Sequence, residues 1–493
     1  MPVPFTNVPA NIRVPLFYAE VNNSRANTST NNQRVLIIGQ ILSSGISVPG
    51  VPFLSAGVSD AQLQGGVGSQ LSLMTAAYRN ADAFSEVWYL PLADAPSSVA
   101  AIGSVTIGST PIASGTISLY IAGVRYQLPV VTTQTSALIS MALAALINSD
   151  SNCPVSAVAS ASVVTFTANN KGTVGNEVDI RLNYLGSTAG ESTPLGLTVS
   201  IVPMAGGSVD PSLTLPLANL GDEAFDFIVS PYSDATSLNV LQSFLGDQAG
   251  RWSPLQQLYG HVFTAQRGTI GTLSTFGSSR NNQHETVLGF YDSPSPAWLI
   301  ASQLVGSIAP ALQNDPGRPV QTLPIIGMIA PPTASRFILT SRNTLLWDGI
   351  STFSVGSNGT CYAENIITTY QKNVFGSPDN SYLEVETLYL LAYVLRAMKS
   401  LVTGKYARVK LAANGTRFAA GSAVVTPNII ASDLIAKYQE LEAAGYVQNS
   451  QAFARELIVE QNASNPNRVD VLWPGTLIDQ LRIFALLAQF RLS

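Results

Sequence analysis

The sequence is poor in charged residues, cysteine and histidine. Only 11% of its 493 residues are charged, although 46% are hydrophobic; an ordinary soluble domain carries about 25% charged residues. Ser, Thr, Asn, Gln and Gly fill the remaining polar positions. A neutral surface protects poorly against association, so this composition favours a protein that packs against copies of itself. A secreted protein with an uncharged polar coat fits the composition equally well.

The two cysteines, Cys153 and Cys361, lie far apart in the sequence. This spacing argues against a disulfide framework and predicts reduced, buried thiols. The net charge of −5, without a basic cluster, argues against nucleic acid as a principal partner. No uncharged apolar run of about 18 residues is present, and segment 1–15 lacks the pattern of a secretory signal. We therefore expect no direct insertion into a membrane.

The residues that common catalytic sites require are scarce. His261 and His284 are the two histidines, and each lies at or just before a predicted strand. The nucleophile elbow G-x-S-x-G, the dinucleotide turn and the phosphate-binding loop are absent, and two distant Cys with two distant His cannot form a tetrahedral metal site. We interpret two acidic pairs as a helix start and as a solvated or paired face: Asp222–Glu223 and Glu384/Glu386. The sequence predicts no enzyme, cofactor or metal; a hydrolase built around His261 or His284 is the alternative.

The middle of the chain predicts an α/β core with a parallel sheet. Apolar runs of strand length alternate with helical segments, and such alternation is typical of parallel strands with helices on both faces. A predicted helix over 69–85 has Phe84 on its apolar side, and Asp234 is a predicted helix N-cap. The predicted strands are 34–41, 87–92, 225–232, 260–266, 285–292 and 322–330, and the other predicted helices are 234–245, 269–276 and 296–313.

Two regions interrupt this alternation and define the predicted domains. Short strands rich in Thr, Ser and β-branched residues, with one helix at 135–147 and a hairpin at 154–170, predict an inserted β-rich domain. After 335, two strands and long helices predict an α+β part. The predicted division is 1–33 (arm and linker), 34–103 (first part of the core), 104–207 (insertion), 208–335 (α/β core), 336–478 (C-terminal α+β part) and 479–493 (C-terminal arm).

Both ends of the chain read as extended arms. Near the start, four large apolar residues alternate with other residues, and Pro15 would place such a strand at a sheet edge; a polar linker follows at 22–33. The final segment carries seven large apolar residues, so we expect it to dock on its own body or on a neighbour. The predicted arm residues are Ile12, Val14, Leu16, Tyr18, Leu481, Ile483, Phe484, Leu486, Leu487, Phe490 and Leu492.

Six segments, in order along the whole chain, carry a family resemblance: 12–26 (IRVPLFYAEVNNSRA), 35–40 (VLIIGQ), 115–123 (GTISLYIAG), 171–181 (KGTVGNEVDIR), 365–371 (NIITTYQ) and 480–492 (QLRIFALLAQFRL). Together they resemble the tail sheath proteins of Mu-like contractile-tailed phages. The resemblance implies a structural sheath core, one part of which is subtilisin-like in topology only. A different self-assembling shell, such as a capsid or surface layer, is the alternative.

The resemblance also implies partners and a mechanism. Copies are expected to stack as hexameric rings around a tail tube protein, with baseplate and tail terminator proteins at the ends. The terminal arms are expected to add strands to the sheets of neighbouring copies. Contraction from a metastable extended lattice would drive the tube through the host envelope. The expected location is the virion tail, and the host cytoplasm during assembly. The insertion is expected to face outward and the helical C-terminal part to face the tube.

Overall fold

The structure is a computed structural model, and it describes residues 33–491. The first part of the core contains β1 (Val35–Gln40), β2 (Phe53–Leu54), α1 (Val58–Gly65), α2 (Gln70–Ala81) and β3 (Val87–Leu92). The β-rich region follows, with β4 (Ile102–Ile107), β5 (Gly115–Ile121), β6 (Val124–Val130), α3 (Ser136–Asn148), β7 (Val155–Ser160), β8 (Val163–Ala168), β9 (Ile180–Leu182) and β10 (Val199–Ala205).

The second part of the core contains α4 (Thr214–Ala218), β11 (Phe227–Val229), α5 (Ala235–Leu245), β12 (His261–Arg267), α6 (Ile270–Ser278), β13 (Glu285–Phe290) and α7 (Ala297–Asn314). The remainder contains α8 (Leu339–Trp347), β14 (Thr352–Val355), β15 (Cys361–Asn365), α9 (Val385–Tyr406), β16 (Lys410–Leu411), β17 (Val424–Val425), α10 (Pro427–Ala443), β18 (Val447–Gln448), α11 (Ser450–Glu456), β19 (Ile458–Gln461), β20 (Val469–Leu472) and β21 (Thr476–Leu477).

A six-stranded sheet forms the centre of the molecule, in the order β13-β12-β11-β1-β3-β2. All neighbouring strands are parallel except β2, which runs antiparallel to β3 at the edge. The sheet joins strands from before and after the β-rich region, so that region is inserted in sequence between strands of one sheet. The predicted parallel α/β core is confirmed.

Helices cover both faces of this sheet, which explains its continuous apolar strands. Adjacent side chains of a strand point to opposite faces. On β13, Leu288 belongs to the main core, while Val287 packs in a separate cluster with Leu273 of α6. On the main-core face, α2 and α7 pack against each other, with α2 on β1 and α7 on β11 and β12. All six residues of β1 are buried, as expected for a strand covered on both faces.

Side-chain caps fix the starts of the core helices. Ser69 accepts a hydrogen bond from the Ser72 amide at the start of α2, and the predicted cap Asp234 accepts one from the Ser237 amide at the start of α5. The prediction that α2 extends to Phe84 is wrong. The helix ends at Ala81 because the next residue, an aspartate, turns its carboxylate onto the Phe84 amide and leads the chain out of the helix.

The inserted region contains two antiparallel sheets, β10-β4-β8-β7 and β6-β5-β9. The predicted hairpin at 154–170 is β7 and β8, which pair over their full length. The region joins the carboxyl end of β1, where the Gln40 side-chain amide donates to Asp94 and to the Lys171 carbonyl. Its apolar residues belong to the same buried cluster as the central sheet.

The predicted strand at 322–330 is wrong. This segment makes turns, with positive φ at Thr322 and Gly327, and its one ladder contact is an isolated bridge from Pro324 to Tyr362. A proline has no amide hydrogen for a ladder bond, so it disfavours an internal strand. The central sheet therefore ends at β13 instead of gaining another parallel strand.

The C-terminal part is α+β, as predicted. Helices α9, α10 and α11 enclose two small apolar clusters, and short two-stranded sheets lie beside them. The spacing of six residues in the sequence predicts a core-facing stripe on the long helix α9: Leu383, Thr387, Leu390, Leu391, Leu395 and Met398. The prediction is largely wrong, because only Leu390 of the six is buried. Tyr389 is buried instead, because its hydroxyl donates to the Asp226 carbonyl of the core. In the described range 33–491, no helix has the length and hydropathy needed to span a bilayer.

Candidate assembly interface

The segment after β21 carries a dense run of exposed large apolar residues. Residues 478–491 form neither helix nor strand. Six predicted arm residues have side chains between 70% and 83% exposed: Leu481, Ile483, Phe484, Leu486, Leu487 and Phe490. Burying each one fully is worth about 1.5–3 kcal/mol. A surface of this kind marks a site of interaction with another molecule.

Hydrogen bonds and ion pairs at Leu481 and Arg482 tie the start of the apolar run to the body. The Arg482 guanidinium donates to Glu386 at 2.6 Å and lies 3.0 Å from the Glu384 carboxylate. The other oxygen of Glu386 accepts the Val320 amide at 2.8 Å. The Gln321 side chain also donates to the Leu481 carbonyl. The segment is therefore held at Arg482, and its apolar residues extend from that point without cover.

The two glutamates lie at the start of α9, where Glu386 is fully buried and Glu384 is partly buried. Burial raises the pKa of Glu386 and of Glu384, and the Arg482 charge acts in the opposite direction by favouring their ionised forms. Their position at a helix N-terminus also favours negative charge. The sequence predicts a solvated or paired face for this pair; the pairing is confirmed and the solvated alternative is wrong. Without Arg482 the site would hold uncompensated carboxylates.

The strand predicted for the final residues remains a prediction. In an extended chain neighbouring side chains point in opposite directions, and the exposed Leu481 and Ile483 flank the inward-facing Arg482. A strand also needs a ladder partner, which an exchanged arm would find on another chain. The remaining predicted arm residues, Ile12, Val14, Leu16, Tyr18 and Leu492, lie outside the described residues.

The description begins at Gln33, beside the first strand. Its carbonyl accepts the Gln313 side-chain amide, and Arg34 forms ion pairs with Glu86 and Glu223. Residues 1–32 therefore join the body at the edge of the sheet where β1 begins. The acidic residue Glu223, which we had interpreted as part of a helix start, instead pairs with Arg34 in the loop before β11.

His261 has a structural role in the core. Its Nε2 lies 2.8 Å from the Thr286 hydroxyl, which itself donates to the Ile367 carbonyl. Because that hydroxyl has only one hydrogen, His261 must donate from Nε2. Complete burial holds the pKa of His261 well below its ordinary value, so the ring is neutral.

His284 is also held by structural contacts. Its Nε2 lies 2.6 Å from Asp247, and its ring stacks on Trp252 at a centroid distance of 4.6 Å. The Asp247 carboxylate, though partly desolvated by burial, has its pKa lowered by the hydrogen bond from His284. The two cysteines are buried free thiols, as predicted, and burial raises the pKa of Cys361 to about 12.

The carboxyl edge of the parallel sheet, where α/β proteins bind ligands, contains a cavity of about 670 Å³. The charged side chains that line it already have partners. Glu177 pairs with Arg267, Asp234 caps α5, and Arg280 makes a bidentate pair with the fully buried Glu285. These groups stabilise the loops around the cavity.

Sequence reasoning found the exposed apolar residues of the tail but missed the residue that holds it. Arg482 and Glu386 are 96 positions apart, and nothing in their local sequence pairs them. The available signal was composition: an arginine inside an apolar segment, and two glutamates at the start of a largely apolar helix. Buried charges are almost always paired, so this composition indicates that each charge needs a partner, but it does not say which residue supplies it.

Comparisons with known proteins identify the family. Residues 206–369 match the model of the phage tail sheath protein central domain, and residues 377–491 match that of the phage tail sheath C-terminal domain. The Mu-like prophage FluMu tail sheath protein of Haemophilus influenzae is 39% identical over 492 residues, covering 99% of this chain and 100% of that protein.

Two solved structures resemble the chain more distantly. The sheath tail protein of Desulfitobacterium hafniense is 11% identical, with a TM-score of 0.48 and coverage of 95% of this chain and 97% of that one. The anti-feeding prophage helical sheath in its contracted state is 10% identical, with a TM-score of 0.47 and coverage of 98% and 100%. On its full-length similarity to the Haemophilus protein, the chain belongs to the family of Mu-like phage tail sheath proteins.

Proposed function

We propose that this chain is the repeating subunit of a contractile tail sheath, and that exchanged terminal arms join its copies. The observation that carries the proposal is the contrast at Arg482. The body binds this residue through the buried Glu386 and the partly buried Glu384, yet it leaves the six large apolar side chains around and beyond it exposed. A tail that is anchored at its start and uncovered elsewhere is suited to bind a neighbouring copy.

The hairpin β19–β20 is the surface best suited to receive such an arm. Within the described residues, each of its strands pairs only with the other. A two-stranded sheet is marginally stable alone, and its edges present unpaired backbone groups. Ile458 and Leu472 are half exposed or more on this hairpin. An added strand would satisfy the edge through backbone hydrogen bonds and cover these side chains.

This arrangement suits a contractile lattice. Backbone ladder bonds between an arm and a neighbour need no particular side chain, so they can persist while the bodies rotate. Arg482 fixes the point at which the arm leaves the body. The chain beyond it can change conformation and so accommodate the rotation of one body relative to another. The missing nucleotide motif favours a lattice that stores its energy at assembly. We propose the tube, baseplate and terminator proteins as partners, the virion tail as location, and an outward-facing insertion.

We propose no catalytic role for the chain. His261 is neutral and fully buried, and His284 is held between Asp247 and Trp252. A hydrolase built around either histidine would need a nucleophile within hydrogen-bond reach of the ring. The hydroxyl that His261 contacts, on Thr286, is itself buried and donates to a backbone carbonyl.

Removing residues 483–493 from the purified chain tests the proposal, since Arg482 and its carboxylates remain. We expect the full chain to form hollow rods or stacked rings in electron micrographs, and the truncated chain to stay soluble with an unchanged thermal unfolding midpoint. Normal rods from the truncated chain would refute the arm mechanism. Flat sheets or closed shells from the full chain would favour a surface-layer or capsid subunit.

A further inference from the structure

Three locked turns present the most exposed large apolar side chains outside the tail. Phe84 is 98% exposed, Leu255 is 96% exposed, and Val374 and Phe375 are 93% and 88% exposed. Phe84 precedes β3, Leu255 precedes β12, and the turn with Phe375 is bound to the loop that precedes β13. All three therefore lie at the amino edge of the central sheet, where its parallel strands begin.

The turn that carries Phe375 is built by hydrogen bonds. The Asn373 side-chain oxygen accepts the Phe375 and Ser377 backbone amides, and the Asn373 backbone amide donates to the Ser377 carbonyl. Asn281, in the loop before β13, accepts the Lys372 amide and donates to the Lys372 carbonyl. The turn is thus rigid and fixed to the sheet, so little conformational entropy is lost when its tip binds a partner.

The other two turns are held in the same way. At the first, Asp82 accepts the Phe84 and Ser85 amides. At the second, the Arg251 carbonyl accepts the Leu258 amide at 2.8 Å, which closes the turn that carries Leu255. Backbone ordering is unfavourable, so three ordered turns that each expose an apolar tip indicate selection for contact.

The positions of the turns match the size of a protein interface. Phe84 lies by β3 and Phe375 by β13, four strands away in the sheet. At the usual strand spacing this separation is about 19 Å. Between them, Arg34 forms ion pairs with Glu86 and Glu223. The edge therefore carries separate apolar anchors, with the ion pairs of Arg34 lying between them.

We infer that the amino edge is a contact surface for a second copy of this chain, with Phe375, Leu255 and Phe84 as its apolar anchors. This inference rests on the proposed function. Two observations favour another copy as the occupant. Residues 1–32 join the body at this edge, beside Gln33 and Arg34, and they can span up to about 110 Å when extended; an N-terminal arm bound to a neighbour would hold that neighbour here. The chain's surface is also poor in charge, so it can accept apolar anchors.

The test replaces two of the three anchors, one at a time, and measures assembly of the full chain. In Phe375→Ser and Leu255→Ser, we expect the concentration required for rod formation to rise about tenfold or more. The thermal unfolding midpoint should not change, because these side chains are already exposed. Val158→Ser is the matched control: this side chain is 67% exposed on β7 of the inserted region, which joins the opposite edge of the sheet.

The outcomes separate this inference from the proposed function. If the wild-type chain forms rods and the anchor variants require much higher concentrations while the control does not, the inference is supported. If the anchor variants assemble like the wild type, it is overturned, even though the sheath function stands. A fall in the unfolding midpoint of Phe375→Ser that disappears on deletion of residues 1–32 would also overturn it, because the chain's own N-terminal segment would then cover the edge.

Discussion

Strand β1 and the C-terminal tail are equally apolar and have opposite environments. All of Val35–Gln40 is buried between parallel neighbours and two helical layers. The apolar residues of 481–490 remain exposed, although contacts at Leu481 and Arg482 hold the start of the segment on the body. Apolar composition predicts that a segment will be buried, but it does not tell which chain supplies the cover. Strand β1 is buried by other elements of its own chain, whereas we propose that the tail is buried by a neighbouring copy.

The same substitution in both segments gives the largest expected difference. Ile37→Ala should lower the free energy of unfolding by about 2–5 kcal/mol, because it opens a cavity in a fully buried core. Ile483→Ala should change it by less than about 0.5 kcal/mol, as at other exposed positions. Chemical denaturation of unassembled protein measures both. An equal loss in the two variants would mean that the tail is covered by its own body.

Arg482→Met should destabilise the unassembled chain by about 3 kcal/mol, because it leaves the buried Glu386 and the partly buried Glu384 without a counter-charge. Arg491→Met, a matched change at an exposed position of the same tail, should have no measurable effect. The same denaturation experiment compares the two variants. If they behaved alike, the tail would have no fixed anchor, and the contrast between a held base and a free end would be wrong.

A change of pH should have a smaller effect on stability, and this effect should come from His261 in the core and not from the tail. His261 stays neutral in the folded chain, whereas an unfolded histidine has a pKa of about 6.5. Below that pH the unfolded state binds a proton that the folded state does not, so stability should fall as pH falls, by up to about 1.4 kcal/mol per pH unit.

The variant His261→Gln isolates this contribution, because its side-chain amide can still donate to Thr286. Between pH 7 and pH 5.5, the unfolding free energy of the wild type should fall more than that of the variant. Tail truncation should leave this shift unchanged. A pH-independent difference would show that His261 is not held neutral in the fold.

Local signals in the sequence predicted the parts of the fold that local physics determines. The apolar run at Val35–Gln40, the cap at Asp234 and the hairpin at 154–170 each depend on neighbours in sequence, and the structure contains all three. The strand predicted at 322–330 is wrong because the prediction relied on the apolar content of the segment and gave too little weight to Pro324, which disfavours an internal strand. The prediction of the buried face of α9 is wrong because partners distant in sequence, including Asp226 and Arg482, set the orientation of the helix.

The candidate interface could be predicted only in part, because some of its residues are positioned by partners distant in sequence. The exposed tail residues were identifiable from their hydrophobicity at the end of the chain. Its anchor was not, because the pairing of Arg482 with Glu386 exists only after α9 and the tail have folded together. The turn of Phe375 is a similar case, since it depends on Asn281 in a loop 90 or more positions earlier.

A density map of the assembled rod, at a resolution that traces the chain beyond Arg482, tests the central claim most directly. The account predicts that residues 483–491 lie on a neighbouring copy and form a strand beside that copy's sheet, while Arg482 stays bound to Glu384 and Glu386 of its own body. A tail that folds back over its own chain in the rod would contradict the account.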